Sequence, residues 1–362
     1  MIDLKLVEEL SDAFGPSGFE DEVCRVVKKY TDGFELTNDA MYNLYLKNHG
    51  FTGKKPVIQL DAHLDECGFI VQSILENGLI SFMMLGGFHL TSLPAHSVMI
   101  RNGKGEYIRG IIGSKPVHFL TDAEKNSNDL DIQKLYVDVG ASSREEVLND
   151  YGIRPGDPMA PEVKFSYDEK HGVCMGKAFD NRLGCVSIIE TMKELRNDDL
   201  AVDVVGAFAA QEEVGMRGAA VTSQVVKPDL AIVFEGSPAD DYFFGPGLAQ
   251  GSMKKGVQIR RMDRSYISNT EFIELAHQVG DEMGIKYQDA VRRGGSTNAG
   301  RIHLEGKAVP VLVLGIPSRY VHSHYCFCAR EDIEAAVKMA AEVIRRLNQE
   351  TMDTILRKNL LK

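Results

Sequence analysis

The sequence contains no tryptophan. Its six cysteines, at positions 24, 67, 174, 185, 326 and 328, form no CxxC pair and no zinc-ribbon spacing, so neither a disulfide framework nor a ribbon-type zinc site is expected. They are read as free thiols, mostly buried, including the two in "CFC" at 326–328. No apolar run approaches the roughly 18 residues of a helical membrane span. The opening "MIDLKLVEELSDAFGPSG" lacks the basic start and apolar core of a signal peptide, which predicts a cytoplasmic protein with no membrane partner. Positive charge is also scarce: 41 Lys and Arg stand against 52 Asp and Glu, a formal net charge of −11. Phosphate binding needs clustered Lys and Arg, so no nucleic-acid partner is expected. Internal repeats and low-complexity stretches are absent as well. What remains is an ordinary globular composition, 44% hydrophobic and 26% charged, long enough for one large domain or two modest ones.

The chain opens with two predicted helices. The first spans residues 3 to 13; after the turn "GPSG" a second starts at Ser17, where Glu20 three positions on completes a capping-box pattern. Four later segments share one pattern, a short apolar run rich in β-branched residues followed at once by polar residues and a glycine or proline. They are "KPVIQLDAHLDECG", "AVDVVGAFAAQEEVG", "PDLAIVFEGSP" and "VPVLVLGIPSRYVHSH", and each reads as a buried strand. Helical periodicity lies between and after them, in Leu183, Val186, Ile189 and Met192, and in Ile333, Val337, Ala340, Ile344 and Leu347. Strands alternating with helices predict an α/β fold, a mixed open sheet with helices on both faces.

Residues 70–164 break this rhythm. They form short alternating segments with many glycines and almost no helical periodicity before residue 143, the pattern of an inserted small β-barrel-like domain, with "GIRPGDPM" as the turn leading back. The catalytic domain is then discontinuous, residues 1–69 and 165–362. Every candidate ligand named below lies outside the insert, so the catalytic sheet is expected to be chemically complete without it.

In open α/β sheets ligands bind beyond the carboxyl ends of the strands, so the residues that follow each apolar run should be neighbours. Those residues are metal-ligand types. The first run ends in His63 and Asp65, the second in Glu212 and Glu213, the third in Glu235, and the fourth in His322, with His324 beyond. Asp180, in "GKAFDNRLG", opens the helix after the insert. Two histidines and three carboxylates are too many for one tetrahedral zinc and suit two metals that share a carboxylate.

The segments "DAHLDECGF", "GKAFDNRLG", "QEEVGMRGA", "GGSTNAG" and "IPSRYVHS" resemble, in order, the signature segments of the tetrahedral (TET) aminopeptidase family, dinuclear metallopeptidases of which some members have been labelled endoglucanases. The resemblance implies that Asp180 bridges two divalent metals, zinc or cobalt first and manganese next. Glu213 and His322 would complete one site, His63 and Glu235 the other. Asp65 would orient His63 as an outer carboxylate. Glu212 would act as general base, taking a proton from water held between the metals and passing it to the leaving amine. Substrates would be short peptides with a free N-terminus, and the insert would mediate dimer contacts within a homo-oligomeric, dodecameric shell.

The chain departs from the commoner pattern at Glu235 and Asn298, where family members often carry Asp, and His324 is one residue too far on to be a ligand. The functional alternative is a metal-dependent deacylase that removes N-terminal blocking groups. A glycosidase is disfavoured, since its two carboxylates must flank the scissile bond about 5 to 9.5 Å apart.

Overall fold

The computed structural model describes residues 1–122, 131–245 and 247–361. The N-terminal helix α1 (Leu4–Asp12) is capped by the Asp3 carboxylate, which accepts from the Lys5 and Leu6 amides. The second helix, α2 (Asp21–Tyr30), starts four residues later than the capping-box pattern predicts. Ser17 does not cap it: its hydroxyl donates to Asp65 Oδ2 at 2.6 Å, and Glu20 Oε1 instead accepts from the amides of Gly18 and Gln211. A bond to a buried carboxylate outcompetes the local cap.

Strands β1 (Glu35–Asn38), β2 (Leu44–Lys47) and β3 (Val57–His63) begin the main sheet. The chain then leaves it for β4 (Gly68–Ile74), β5 (Ile80–Leu85), β6 (Ser97–Arg101), β7 (Tyr107–Gly113), β8 (Tyr136–Asp138) and β9 (Pro158–Pro161). These six close into an antiparallel barrel in the order β4-β5-β8-β7-β6-β9. A short helix, α3 (Arg144–Asn149), caps by its Ser143 hydroxyl and packs Val147 into the barrel core with Phe69, Val98, Ile100 and Ile112.

The main sheet resumes with β10 (Ser166–Asp168), β11 (Val173–Gly176), β12 (Asp203–Ala209), β13 (Leu230–Pro238), β14 (Val257–Met262), β15 (Tyr287–Val291), β16 (Val311–Arg319) and β17 (Cys326–Ala329). Its order is β1-β2-β12-β3-β13-β16-β17-β11-β10, with β14 and β15 branching from β16. The four apolar segments singled out in the sequence are β3, β12, β13 and β16, and they lie side by side, mutually parallel. The rest of the sheet pairs antiparallel to them except for β14 with β15.

Helices α4 (Phe179–Glu194), α5 (Arg217–Val226), α6 (Thr270–Met283), α7 (Ala299–Ile302), α8 (Arg330–Arg345) and α9 (Gln349–Ile355) cover the sheet. Alternate residues of one strand face opposite sides, and the cores divide accordingly. Ile232, Phe234, Leu312 and Leu314 join α1, α4, α6 and α8 in the larger core. Ala231, Val233, Val311 and Val313 pack with Ala219 of α5 and Ala299 and Ile302 of α7. The central strands are thus buried on both faces, which is why they read as continuous apolar runs. The periodic residues of α4 and α8 are buried as the sequence predicts.

All six cysteines are free, and five are buried. Among the described residues no helix is long and apolar enough to cross a membrane.

Candidate metal centre

The register of the parallel strands brings the site together. His63 at the end of β3 pairs with Ala209 at the end of β12, and Val233 of β13 pairs with Asp61, so Glu235 stands level with His63. The chain continues from β12 through Gln211 into Glu212 and Glu213, and from β16 into the loop that carries His322. Asp180 comes from the first turn of α4, where it and Asn181 leave helical dihedral angles. Asn181 anchors this turn to β13: its Nδ2 donates to the Phe234 carbonyl at 2.8 Å, and its Oδ1 accepts from the Gly236 amide. Gly236 makes the close approach feasible, since a Cβ there would come 2.5 Å from the Phe179 carbonyl and 2.6 Å from Asp180 Cα.

The six side chains at the centre converge as two halves around Asp180. Its Oδ1 lies 3.0 Å from His63 Nε2, and the same nitrogen is 3.5 Å from Glu235 Oε1. Its Oδ2 lies 3.3 Å from His322 Nε2, which is 3.7 Å from Glu213 Oε1. Glu212 reaches over the first half, with Oε2 4.0 Å from His63 Nε2. All of them except His63 line a cavity of about 460 Å³ whose walls include Met216, Val321, Arg260 and Arg292.

Burial and close packing of the acids set the electrostatics. Burial pushes Glu213 up to about 7, and burial with the nearby Asp180 charge pushes Glu235 up to about 8. Burial raises Glu212 well above the usual carboxylate range, and Glu235, Glu213 and Asp65 reinforce it against the opposing pull of His63. Burial opposes the charged forms of Asp180, His63 and His322 too, but their mutual contacts prevail, holding the Asp180 carboxyl low and both imidazoles high. Glu235 Oε2 is buried with no hydrogen-bond partner. Orphaned anionic oxygen among converging acids fits a divalent cation, which would satisfy the oxygen and neutralise the repulsion.

The outer contacts differ in part from the sequence expectation. His63 Nδ1 is nearest the backbone carbonyl of Asp65, at 3.0 Å, while the Asp65 carboxylate stands 3.4 Å away. The shorter bonds of that carboxylate go elsewhere: Oδ1 accepts from the Glu212 amide at 2.9 Å, and Oδ2 from the Glu213 amide at 3.1 Å and from Ser17. Asp65 therefore pins the glutamate loop to the end of β3 as well as flanking His63. His322 Nδ1 donates to the Gly87 carbonyl at 2.7 Å. Gly87 belongs to the segment between β5 and β6 of the barrel, so the insert supplies an orienting group and the catalytic sheet is not complete without it.

Asn298 is fully buried and donates to Asp61 Oδ1 at 2.7 Å, away from the cavity; an Asp there would set two carboxylates against each other. His324 stacks on His96 with ring centroids 4.2 Å apart, a packing role consistent with its exclusion from the ligand set. Sequence reasoning passed over Cys67, whose sulfur faces Glu213 and His322. No spacing in the sequence marks it.

Known proteins resemble the chain over most of its length. The M42 glutamyl aminopeptidase family profile matches residues 43–339. The chain is similar to the glutamyl aminopeptidase of Lactococcus lactis subsp. cremoris (strain MG1363), at 28% identity over 96% of this chain and 98% of that one. Among solved structures it is similar to the TET aminopeptidase of the marine sediment archaeon Thaumarchaeota archaeon SCGC AB-539-E09, with a TM-score of 0.92, 36% identity, and 97% and 99% of the two chains covered. It is also similar to the Pyrococcus horikoshii TET1 peptidase, described as assembling into a tetrahedron or a large octahedral shell, with a TM-score of 0.84, 26% identity, and 95% and 99% covered. The chain therefore belongs to the M42 glutamyl aminopeptidase family and is, by that membership, an aminopeptidase.

Proposed function

We propose that the chain is a metal-dependent aminopeptidase that removes N-terminal residues from short peptides at a two-ion centre, with Asp180 as the shared ligand. The observation that carries this reading is the division of one carboxylate between two histidines, Oδ1 toward His63 and Oδ2 toward His322. His63 and Glu235 hold one ion, and His322 and Glu213 the other. Two ions of zinc, cobalt or manganese would polarise the scissile carbonyl and lower the pKa of water to near 7.

The protein's own groups do the rest. Glu212 is at the cavity floor yet has no hydrogen-bonding claim on Asp180, which leaves its carboxylate free to take a proton from the attacking water and return it to the leaving amine. Asp65 fixes the backbone of Glu212 and Glu213, so that adjacent side chains keep separate duties.

A homo-oligomeric, dodecameric shell with the barrel at the subunit contact completes the reading. It is supported by the assembly described for the similar TET1 peptidase and by apolar side chains exposed on the barrel segment, Met83, Ile111, Val117 and Phe119.

The glutamate pair tests the site. Glu212→Gln should retain both ions and lose about 100- to 10,000-fold in turnover, with no rescue by added metal. Glu213→Gln should lose an ion and recover partly in excess metal. Bound metal and turnover measured across a metal titration decide; the opposite pairing of effects would reverse the two roles, and full activity in both variants would end the metallopeptidase reading.

A further inference from the structure

Cys67 enters the structure at the hinge between β3 and the barrel, and it is buried. Its Sγ, a His322 ring nitrogen and a Glu213 carboxylate oxygen all lie within 4.8 Å of one another. A second, small cavity of about 20 Å³ sits among Cys67, Asp180, Glu213 and His322, room for a single water-sized occupant. Gly86 lies against both Cys67 and Glu213. Its φ is +86°, and a Cβ there would come 2.8 Å from Cys67 Sγ and 3.1 Å from Glu213 Oε2, so those two atoms flank one point.

The thiol's own hydrogen bond goes to the Gly87 carbonyl at 3.6 Å, which also accepts from His322 Nδ1 at 2.7 Å. Cys326 lines the same cavity, but its thiol is directed to the Tyr320 carbonyl at 3.5 Å and it is outside the three-atom group. Ligand atoms held at zinc bond lengths around one tetrahedral ion lie roughly 3.3 to 3.8 Å apart, so side-chain adjustments of about an ångström would close the group on an ion.

We propose that Cys67 Sγ is a protein ligand of the ion held by Asp180, Glu213 and His322, an inference that rests on the two-ion reading above. The two positions are then chemically unequal. The His63–Glu235 position offers only nitrogen and oxygen, whereas the His322–Glu213 position offers four protein donors including a sulfur. Thiolate donors select zinc and cobalt over manganese, so the second position should discriminate against manganese while the first does not.

Cobalt(II) titration of the metal-free full-length chain tests this, with bound metal counted and the near-ultraviolet spectrum recorded. Wild type should bind two ions and develop a sulfur-to-cobalt charge-transfer band with one of them. Cys67→Ser should lose the band and loosen one ion by at least about tenfold, with a smaller preference for cobalt over manganese at that position; Cys326→Ser should keep the band. Two cobalt ions bound by wild type without the band, or a band that survives Cys67→Ser, would overturn the role of Cys67 and leave the two-ion centre intact. A wild type that binds no cobalt would overturn both.

Discussion

Replacing Asp65 with Asn removes one charge and one acceptor from a fully buried junction, and the structure lets the cost be apportioned. The carboxylate accepts from Ser17 Oγ at 2.6 Å, from the Glu212 amide at 2.9 Å and from the Glu213 amide at 3.1 Å. It is held ionised: burial pushes its pKa up, but His63, the Ser17 hydroxyl and the Glu212 amide outweigh that and bring it below the usual carboxylate value. Asn retains one oxygen, which can serve Glu212. The new NH2 must then face Ser17, which can rotate to accept, and the Glu213 amide, which cannot. An orphaned buried N–H costs about 1–3 kcal/mol, and the two surviving bonds each lose about 1 kcal/mol on passing from charged to neutral acceptor. The sum is about 3–5 kcal/mol. Ser17→Ala removes one bond and orphans no amide, so about 1.5–3 kcal/mol is expected. Urea unfolding of the metal-free proteins measures both without stabilisation by bound ions. Metal affinity should fall about 10- to 100-fold in Asp65→Asn, as for other outer carboxylates. A metal-free Asp65→Asn protein no less stable than Ser17→Ala would show that the carboxylate does not pin the glutamate loop.

Two further outcomes follow from other parts of the molecule. In metal-free protein Glu235 titrates near 8 when folded and near its ordinary 4.5 when unfolded; between those values the folded state holds the extra proton, so stability should fall as pH rises through that window. Urea midpoints across the same pH range should decline less steeply for Glu235→Gln, and an identical slope would contradict the assignment. Phe119 is 69% exposed on the barrel segment. If it is covered in the assembly, Phe119→Asp should forfeit about 1.5–3 kcal/mol per buried copy, visible as a smaller native mass with an unchanged fold by circular dichroism, whereas an intact large particle would place the contact elsewhere.

The strands that build the centre were legible because each is buried on both faces and so spells an unbroken apolar run, and the parallel order puts His63, Glu235 and the glutamate pair at one edge by register. The resemblance to the TET family gave Asp180, already a candidate, its bridging role and assigned the ligand halves. What escaped detection falls into two kinds. Ser17 and Glu20 make a convincing local cap, yet their partners, Asp65 and Gln211, are distant in sequence; a short-range pattern carries no information about such competitors. The Gly87 carbonyl that orients His322 is a backbone group, and no letter in the sequence marks it. The bond from Asn298 to Asp61 joins residues far apart in sequence and could not be foreseen either. Cys67 was discounted with the other thiols, since spacing within the chain does not reveal that it shares a small cavity with His322.

The centre draws its groups from five separate stretches of chain, the first at His63 and the last at His322. At synthesis rates of about 5–20 residues per second, roughly 13 to 52 s pass between the emergence of those two histidines. Throughout that interval a growing chain has only part of the proposed ligand set, and the Gly87 carbonyl waits for an imidazole that has not yet been made. Hydrolytic competence is therefore withheld during translation, and a chain that could trim the exposed N-termini of its neighbours acquires that capacity only once its own strands have been shelved into the sheet.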